Sequence, residues 1–316
     1  MVLSQPEIIF YVTLYALPAW AIFLLGIALI VGISNKRRPS ISVDLFILAV
    51  IGAHILQILF YTHLPQFHRY LIFLLGFVPA RYFAEFNNQW PPGGWPACFW
   101  SPFTYTVLHQ NGPHLFGNCM VLFIFGRTVA WRIGGLRFVL LFFLAGAAGA
   151  LLHLVFYWGS NKPLIGASAG AFGIMGATFR FVPGAKDRLK ALFWPDQSLR
   201  SLPLSLVGDI LNRRRSLVYV LICLTIYPLG LMALLAGSAG NTAVLAHVGG
   251  FARGLFGIGY FVRGCPRAQD LPSDEVTAVR ESESLGMRIL RFIAIAMMVI
   301  GLILGVLTYY MQPFRH

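Results

Sequence analysis

Gly166-Ala167-Ser168-Ala169-Gly170-Ala171-Phe172-Gly173 sets a serine among small residues at the head of an apolar run. The stretch reads G-x-S-x-G, the elbow on which soluble hydrolases carry their nucleophile. Such an elbow needs a strand before it, a helix after it and a sheet to hold both. Nothing in the surrounding sequence looks like a sheet. Ser168 instead opens an apolar run from about 164 to 182, in a chain made mostly of such runs. The stretch is therefore either Gly/Ala packing between membrane helices or a nucleophile working inside a membrane.

Composition settles the solvent. The 316 residues are 58% hydrophobic and only 11% charged, with a mean hydropathy of +0.73, far from the soluble globular range. The fold class is an all-α polytopic membrane protein. Apolar runs long enough to span a bilayer, which takes about 20 residues, fall at about 8–33, 43–62, 114–131, 136–158, 164–182, 217–237, 242–262 and 288–311. Residues 63–112 are rich in Pro, Gly and aromatics, with Trp90, Trp95, Phe99 and Trp100 around Pro91, Pro92 and Pro96. The apolar piece at 70–79 is short for a span, so 63–112 reads as a folded loop lying in the interface, where Trp and Tyr prefer to sit. Cys98, Cys119, Cys223 and Cys265 are scattered without metal-ligand or disulfide spacing, so no metal and no cofactor is expected.

Charge placement gives a topology. No basic segment precedes 8–33, and Lys36-Arg37-Arg38 follows it, which is a signal-anchor pattern with the N-terminus outside. The resulting cytoplasmic connections, 34–42, 127–137, 180–216 and 263–291, carry 3, 3, 8 and 5 Lys/Arg, 19 of the chain's 24. That bias follows the positive-inside rule. The net charge of +13 therefore reports topology, with contact to membrane lipids as a secondary role and no nucleic-acid partner. No internal repeat is visible, which weighs against an inverted-repeat transporter.

Polar groups within spans are costly and mark candidate sites. Ser168 opens one span, His247 lies in the first turns of another, and His114 with Asn118 opens a third. All three spans run from outside to inside, so the four residues share one depth near the external face. His114 and Asn118, four apart, project from one helical face. Gly166, Gly170 and Gly173 flank Ser168, and Gly249, Gly250 and Gly254 follow His247. Small residues at this spacing let membrane helices approach closely, which would bring the serine hydroxyl to the imidazole. Histidine then takes the serine proton on attack and returns it to the leaving group. His114, Asn118 and the Ser168 backbone N–H are the available oxyanion donors. The acidic residues mostly fall in cytoplasmic loops, so a Ser–His dyad without a carboxylate is expected, with Phe172, one turn below Ser168, stacking on the imidazole.

The set His114-Leu-Phe-Gly-Asn118, Gly166-Ala-Ser168 with Phe172 and Gly173, and Ala246-His247-Val-Gly249-Gly250 with Gly254 resembles the rhomboid intramembrane serine proteases. The likeness extends over about 43–262, including Gly76-Phe77-Val78-Pro79-Ala80-Arg81 and Thr104 through His109. It implies a six-helix core that hydrolyses peptide bonds in or near the transmembrane segments of other membrane proteins. It also implies Ser168 as nucleophile, His247 as base, and His114 and Asn118 as oxyanion stabilisers, with residues about 217–241 gating substrate entry. Some positions depart from the family pattern. Ala169 stands where Gly usually follows the nucleophile, Ala130 replaces an acid, Ser101 follows Trp100 where Arg is common, and Arg253 lies within the last core span.

The expected domains are an extra N-terminal transmembrane helix in 1–40, a protease core in 41–265, and a cytoplasmic linker with a C-terminal transmembrane helix in 266–316. The expected location is a bacterial inner membrane with both termini outside, and the expected partners are transmembrane protein substrates. His54 and His153 read as helix–helix contacts and His109 as a structural or interfacial residue. Two other functions fit less well: a silent rhomboid-like binder of membrane proteins, which typically lacks one or both dyad residues, and a small-solute transporter.

Overall fold

The computed structural model describes residues 39–86, 90–181, 204–212 and 244–262. The runs at 8–33, 217–237 and 288–311, and the whole of the 217–241 gate, lie outside the described residues. The described residues are mostly helical and contain no strand.

Helix α1, Ser40–His63, ends where Leu64 leaves helical geometry and α2, Pro65–Leu75, restarts with proline in its first turn. A 3-10 segment, Pro79–Phe86, follows, then the short α3, Ala97–Thr104. Helix α4, Gly112–Val121, runs through a π turn at Leu122–Gly126 into α5, Arg127–Ile133. Gly134, at φ 87°, supplies the left-handed turn that separates α5 from α6, Gly135–Phe156. The remaining described helices are α7, Ser168–Thr178, α8, Val207–Asn212, and α9, Val244–Gly257. Among the described residues, Ile41–His63 and Gly135–Phe156 are long and apolar enough to cross a membrane.

Two expectations change. The expected interfacial loop, 63–112, contains two helices, and its apolar piece at 70–79 falls mainly in α2. The expected span at 164–182 begins four residues later, at Ser168, and its α-helix has 11 residues. At 1.5 Å per residue that is about 16 Å, roughly half the ~30 Å of a bilayer's hydrocarbon core. Residues 164–167 are not helical because another partner holds them. Phe77 and Leu164 pair as an antiparallel bridge, with N–H···O distances of 3.1 and 2.7 Å.

Helix α7 is the central element. Every residue from Ala169 to Thr178 is buried, because α6 and α9 both pack against it. Its small side chains permit this. A Cβ added at Gly250 would overlap the Ala169 carbonyl, and one at Gly254 would overlap that of Gly173. Gly149 on α6 is equally close to Ala169 and Ala246. Beneath this junction lies an aromatic core in which Phe46 of α1 meets Phe142 of α6, ring centroids 4.8 Å apart. Arg253, on α9, folds its guanidinium along the helix over Gly257, one turn toward the C-terminal end.

The 63–112 segment is fixed by side chains bonding to backbone. Fully buried Arg81 donates to the carbonyls of Gly76, Phe73 and Pro92. Trp100 Nε1 donates to Leu74 O and Thr104 Oγ1 to Leu75 O, at 3.0 and 2.6 Å. Tyr105 Oη reaches Gly146 O on α6 at 2.8 Å. Trp95 and Phe99 are exposed on the outside of this layer.

Candidate active site

Ser168 is the first residue of α7, with Ala167 as its N-cap. The first helical bond runs from Ala171 N to Ala167 O. The Ser168 N–H is therefore one of the donors a helix leaves free at its N-terminus, where the peptide dipoles also favour negative charge. Gly166, two residues earlier, sits at φ 127°, a conformation that side-chain-bearing residues rarely adopt. Its N–H donates to Tyr105 O at 3.0 Å.

His247 occupies the first turn of α9. The close approach of Gly250 to Ala169 brings its Nε2 to 2.8 Å from Ser168 Oγ. The imidazole is 4% exposed and lies flat on Phe172, centroids 4.5 Å apart and planes 12° from parallel. Phe172 can hold that position because it is one turn along from Ser168 on the same face. Among the described residues no side chain accepts a hydrogen bond from His247 Nδ1, so the pair has no orienting carboxylate there. Asp44, in the first turns of α1, is engaged by Arg127 at 2.7 Å.

His114 and Asn118 are buried on α4. Asn111 caps that helix, its Oδ1 accepting from His114 N at 2.9 Å. Both side chains face the Gly166 backbone. A Cβ at Gly166 would lie 2.7 Å from His114 Cε1 and 3.8 Å from Asn118 Nδ2. A residue larger than glycine would thus displace the imidazole. Ser168, His247, Phe172, Gly166, Gly250, His114 and Asn118 therefore all gather around the start of α7. Among the described residues no cluster of three or more His, Cys, Asp or Glu is placed to hold a metal.

The match to the Rhomboid domain family model runs over residues 96–264, more than half of the chain. The chain belongs to the rhomboid family. A curated relative, rhomboid protease GluP of Bacillus subtilis (strain 168), is 35% identical over 94 residues, which cover 30% of this chain and 17% of the relative. The matched part is thus under a fifth of that protein's length. No solved structure matches. Family membership and the long apolar helices make the chain an integral membrane protein.

One neighbour of the site reads in the sequence only as a structural or interfacial residue. His109 lies in the loop before α4, five residues ahead of His114 and off its helical face, yet it is 0% exposed and borders both His114 and Ala167. His54 faces His109, at 6.0 Å between centroids, and His153 stacks on Tyr157 at 4.5 Å.

Proposed function

We propose that this chain is an intramembrane serine endopeptidase that hydrolyses peptide bonds in or near the transmembrane segments of other membrane proteins. Ser168 is the nucleophile, His247 the general base, and His114 with Asn118 stabilise the oxyanion. The observation that carries the reading is the 2.8 Å approach of His247 Nε2 to Ser168 Oγ at the N-terminus of α7.

The chemistry follows from that geometry. His247, carrying its proton on Nδ1, accepts the Ser168 proton at Nε2 as Oγ attacks the scissile carbonyl carbon. The carbonyl oxygen becomes an oxyanion, met by the Ser168 N–H, the helix terminus and the side chains of His114 and Asn118. As the tetrahedral intermediate collapses, the C–N bond breaks and Nε2 passes its proton to the departing amine. Water then attacks the acyl-enzyme, with His247 again taking a proton and returning it to Ser168 Oγ. Phe172 restrains the ring in the role that a carboxylate fills in a triad.

In this reading residues 41–265 form a six-helix protease core, flanked by a further transmembrane helix in 1–40 and another in 266–316. The positive-inside bias supports an external active site and outside termini, in a bacterial inner membrane. The substrates are transmembrane proteins, and the short α7 leaves room for water above Ser168 within the bilayer's thickness.

The test is cleavage of a single-span test substrate by purified protein in detergent, comparing wild type with Ser168→Ala and His247→Ala. Cleavage by wild type that both substitutions abolish is expected. Cleavage that survives Ser168→Ala overturns the assignment of the nucleophile. No cleavage, together with no labelling of Ser168 by a serine-directed fluorophosphonate, favours a silent, binding-only member of the family.

A further inference from the structure

We infer that His109, held by Gln57, is a positioning residue that sets the oxyanion side of the site from both directions; this rests on the protease reading above. Gln57 of α1 exchanges two hydrogen bonds with the His109 main chain. Its Nε2 donates to His109 O at 2.6 Å, and its Oε1 accepts from His109 N at 3.0 Å. The backbone of His109 is thereby fixed to α1, whose His54 also meets the His109 ring, centroids 6.0 Å apart. The His109 ring, fully buried, then has two further neighbours that matter. His109 Nε2 accepts from the Ala167 N–H at 3.4 Å. The ring also meets that of His114 edge to face, centroids 5.3 Å apart and planes at 70°.

These contacts bracket the oxyanion donors. The Ala167 peptide immediately precedes the Ser168 N–H, so anchoring one peptide plane restrains the next. The ring contact limits rotation of His114, the side-chain donor on the other flank. The Gly166 N–H to Tyr105 O bond and the Phe77–Leu164 bridge hold the same segment at other points. His109 is the one side chain among these clamps that also touches a proposed oxyanion donor. Because Nε2 accepts, the ring is the Nδ1–H tautomer, neutral and fixed in orientation.

An interaction that places donors for the transition state, and does not touch the bound substrate, lowers kcat when lost and leaves KM in place. Outright loss of an oxyanion donor typically costs about 10²–10³ in rate, and misplacing donors should cost less. His109→Phe keeps ring volume and the edge contact but removes the acceptor. His109→Gln restores an acceptor at about the reach of Nε2.

The experiment measures kcat and KM for cleavage of the single-span test substrate, with the thermal midpoint of each protein in detergent. His109→Phe is expected to lower kcat by about 10-fold or more, with KM within about 2-fold of wild type, and His109→Gln to recover most of the loss. A kcat for His109→Phe close to wild type overturns the inference, as does an equal loss in His109→Gln. Should His109→Phe fail to fold, Gln57→Leu decides. It leaves the ring in place and frees its backbone, so a lowered kcat with unchanged KM supports the relay and an unchanged kcat overturns it. A wild type that neither cleaves nor labels at Ser168 removes the protease reading and this inference together. An active wild type with unaffected His109 and Gln57 variants removes this inference alone.

Discussion

Phe172 lies face to face with His247, 12° from parallel at 4.5 Å, while His247 Nε2 meets Ser168 Oγ at 2.8 Å. A single helical turn, Ser168 to Phe172, therefore carries both the group the imidazole acts on and the surface that orients it. Aromatic contacts of this kind contribute about 0.5–1.5 kcal/mol beyond area burial. Phe172→Leu, which keeps an apolar side chain and removes the ring face, should lower kcat about 2- to 10-fold. The measurement is steady-state cleavage of the test substrate. A kcat equal to wild type would show that the imidazole is oriented by something else.

Gly250 is the pivot of the approach between α7 and α9. Gly250→Ala places a methyl against the Ala169 carbonyl, backbone that cannot swing aside as a side chain would. Overpacking of this sort costs about 1–3 kcal/mol, and here it also separates His247 from Ser168. Loss of fluorophosphonate labelling at Ser168 and a lower thermal midpoint are expected. Gly52→Ala is the matched control. It lies in α1 with nothing within 4 Å of the added Cβ, so labelling should be unchanged and the midpoint equal or higher.

Much of this site was legible in the sequence. Ser168, His247, His114 and Asn118 stand out because a polar group in an apolar span is costly and therefore informative, and the glycines beside them mark which helices approach. Phe172 follows from helical spacing alone. What escaped is what depends on contacts between distant segments. The bridge from Phe77 to Leu164 spends four residues of an apparently continuous apolar run on extended chain, and hydropathy has no term for that. Gln57 and His109 are 52 positions apart, and no periodicity links a residue in α1 to one in a loop. The helical content of 63–112 was obscured for a different reason, since its prolines and glycines mark breaks without showing that short helices lie between them.

The Tyr82 phenol should make the first loop, residues 63–112, sensitive to alkali. Burial, with a smaller contribution from neighbouring Cys98, pushes its pKa up to about 12, and its Oη donates to Cys98 O at 2.8 Å. An unfolded tyrosine titrates near 10, so the folded loop favours the neutral phenol. The stabilisation is fully present below about pH 10 and lost as the pH rises through about 12. The thermal midpoint of wild type should therefore fall between about pH 10 and 12 more steeply than that of Tyr82→Phe, which has no proton to lose. Parallel curves would place the alkaline sensitivity elsewhere, for instance at Cys98, whose thiol burial also pushes up.

Arg81 concentrates more of the first loop than any other side chain described. It is fully buried, and the backbone carbonyls of Phe73, Gly76 and Pro92 accept from its guanidinium. Residue 101 of the same segment is a buried serine. The guanidinium suits the task because its donors fan out in one plane toward carbonyls on two separate segments. Arg81→Met fills much of the volume and strands those carbonyls, at about 1–3 kcal/mol for each group left buried without a partner. Arg81→Lys keeps the charge but cannot span both segments at once. Both variants should lower the thermal midpoint, Met more than Lys. Because Gly76 leads directly into the Phe77–Leu164 bridge, both should also expose the 160–167 segment to limited proteolysis before Ser168 labelling is lost. A midpoint for Arg81→Lys equal to wild type would mean that charge alone, and not the fork of donors, holds the loop.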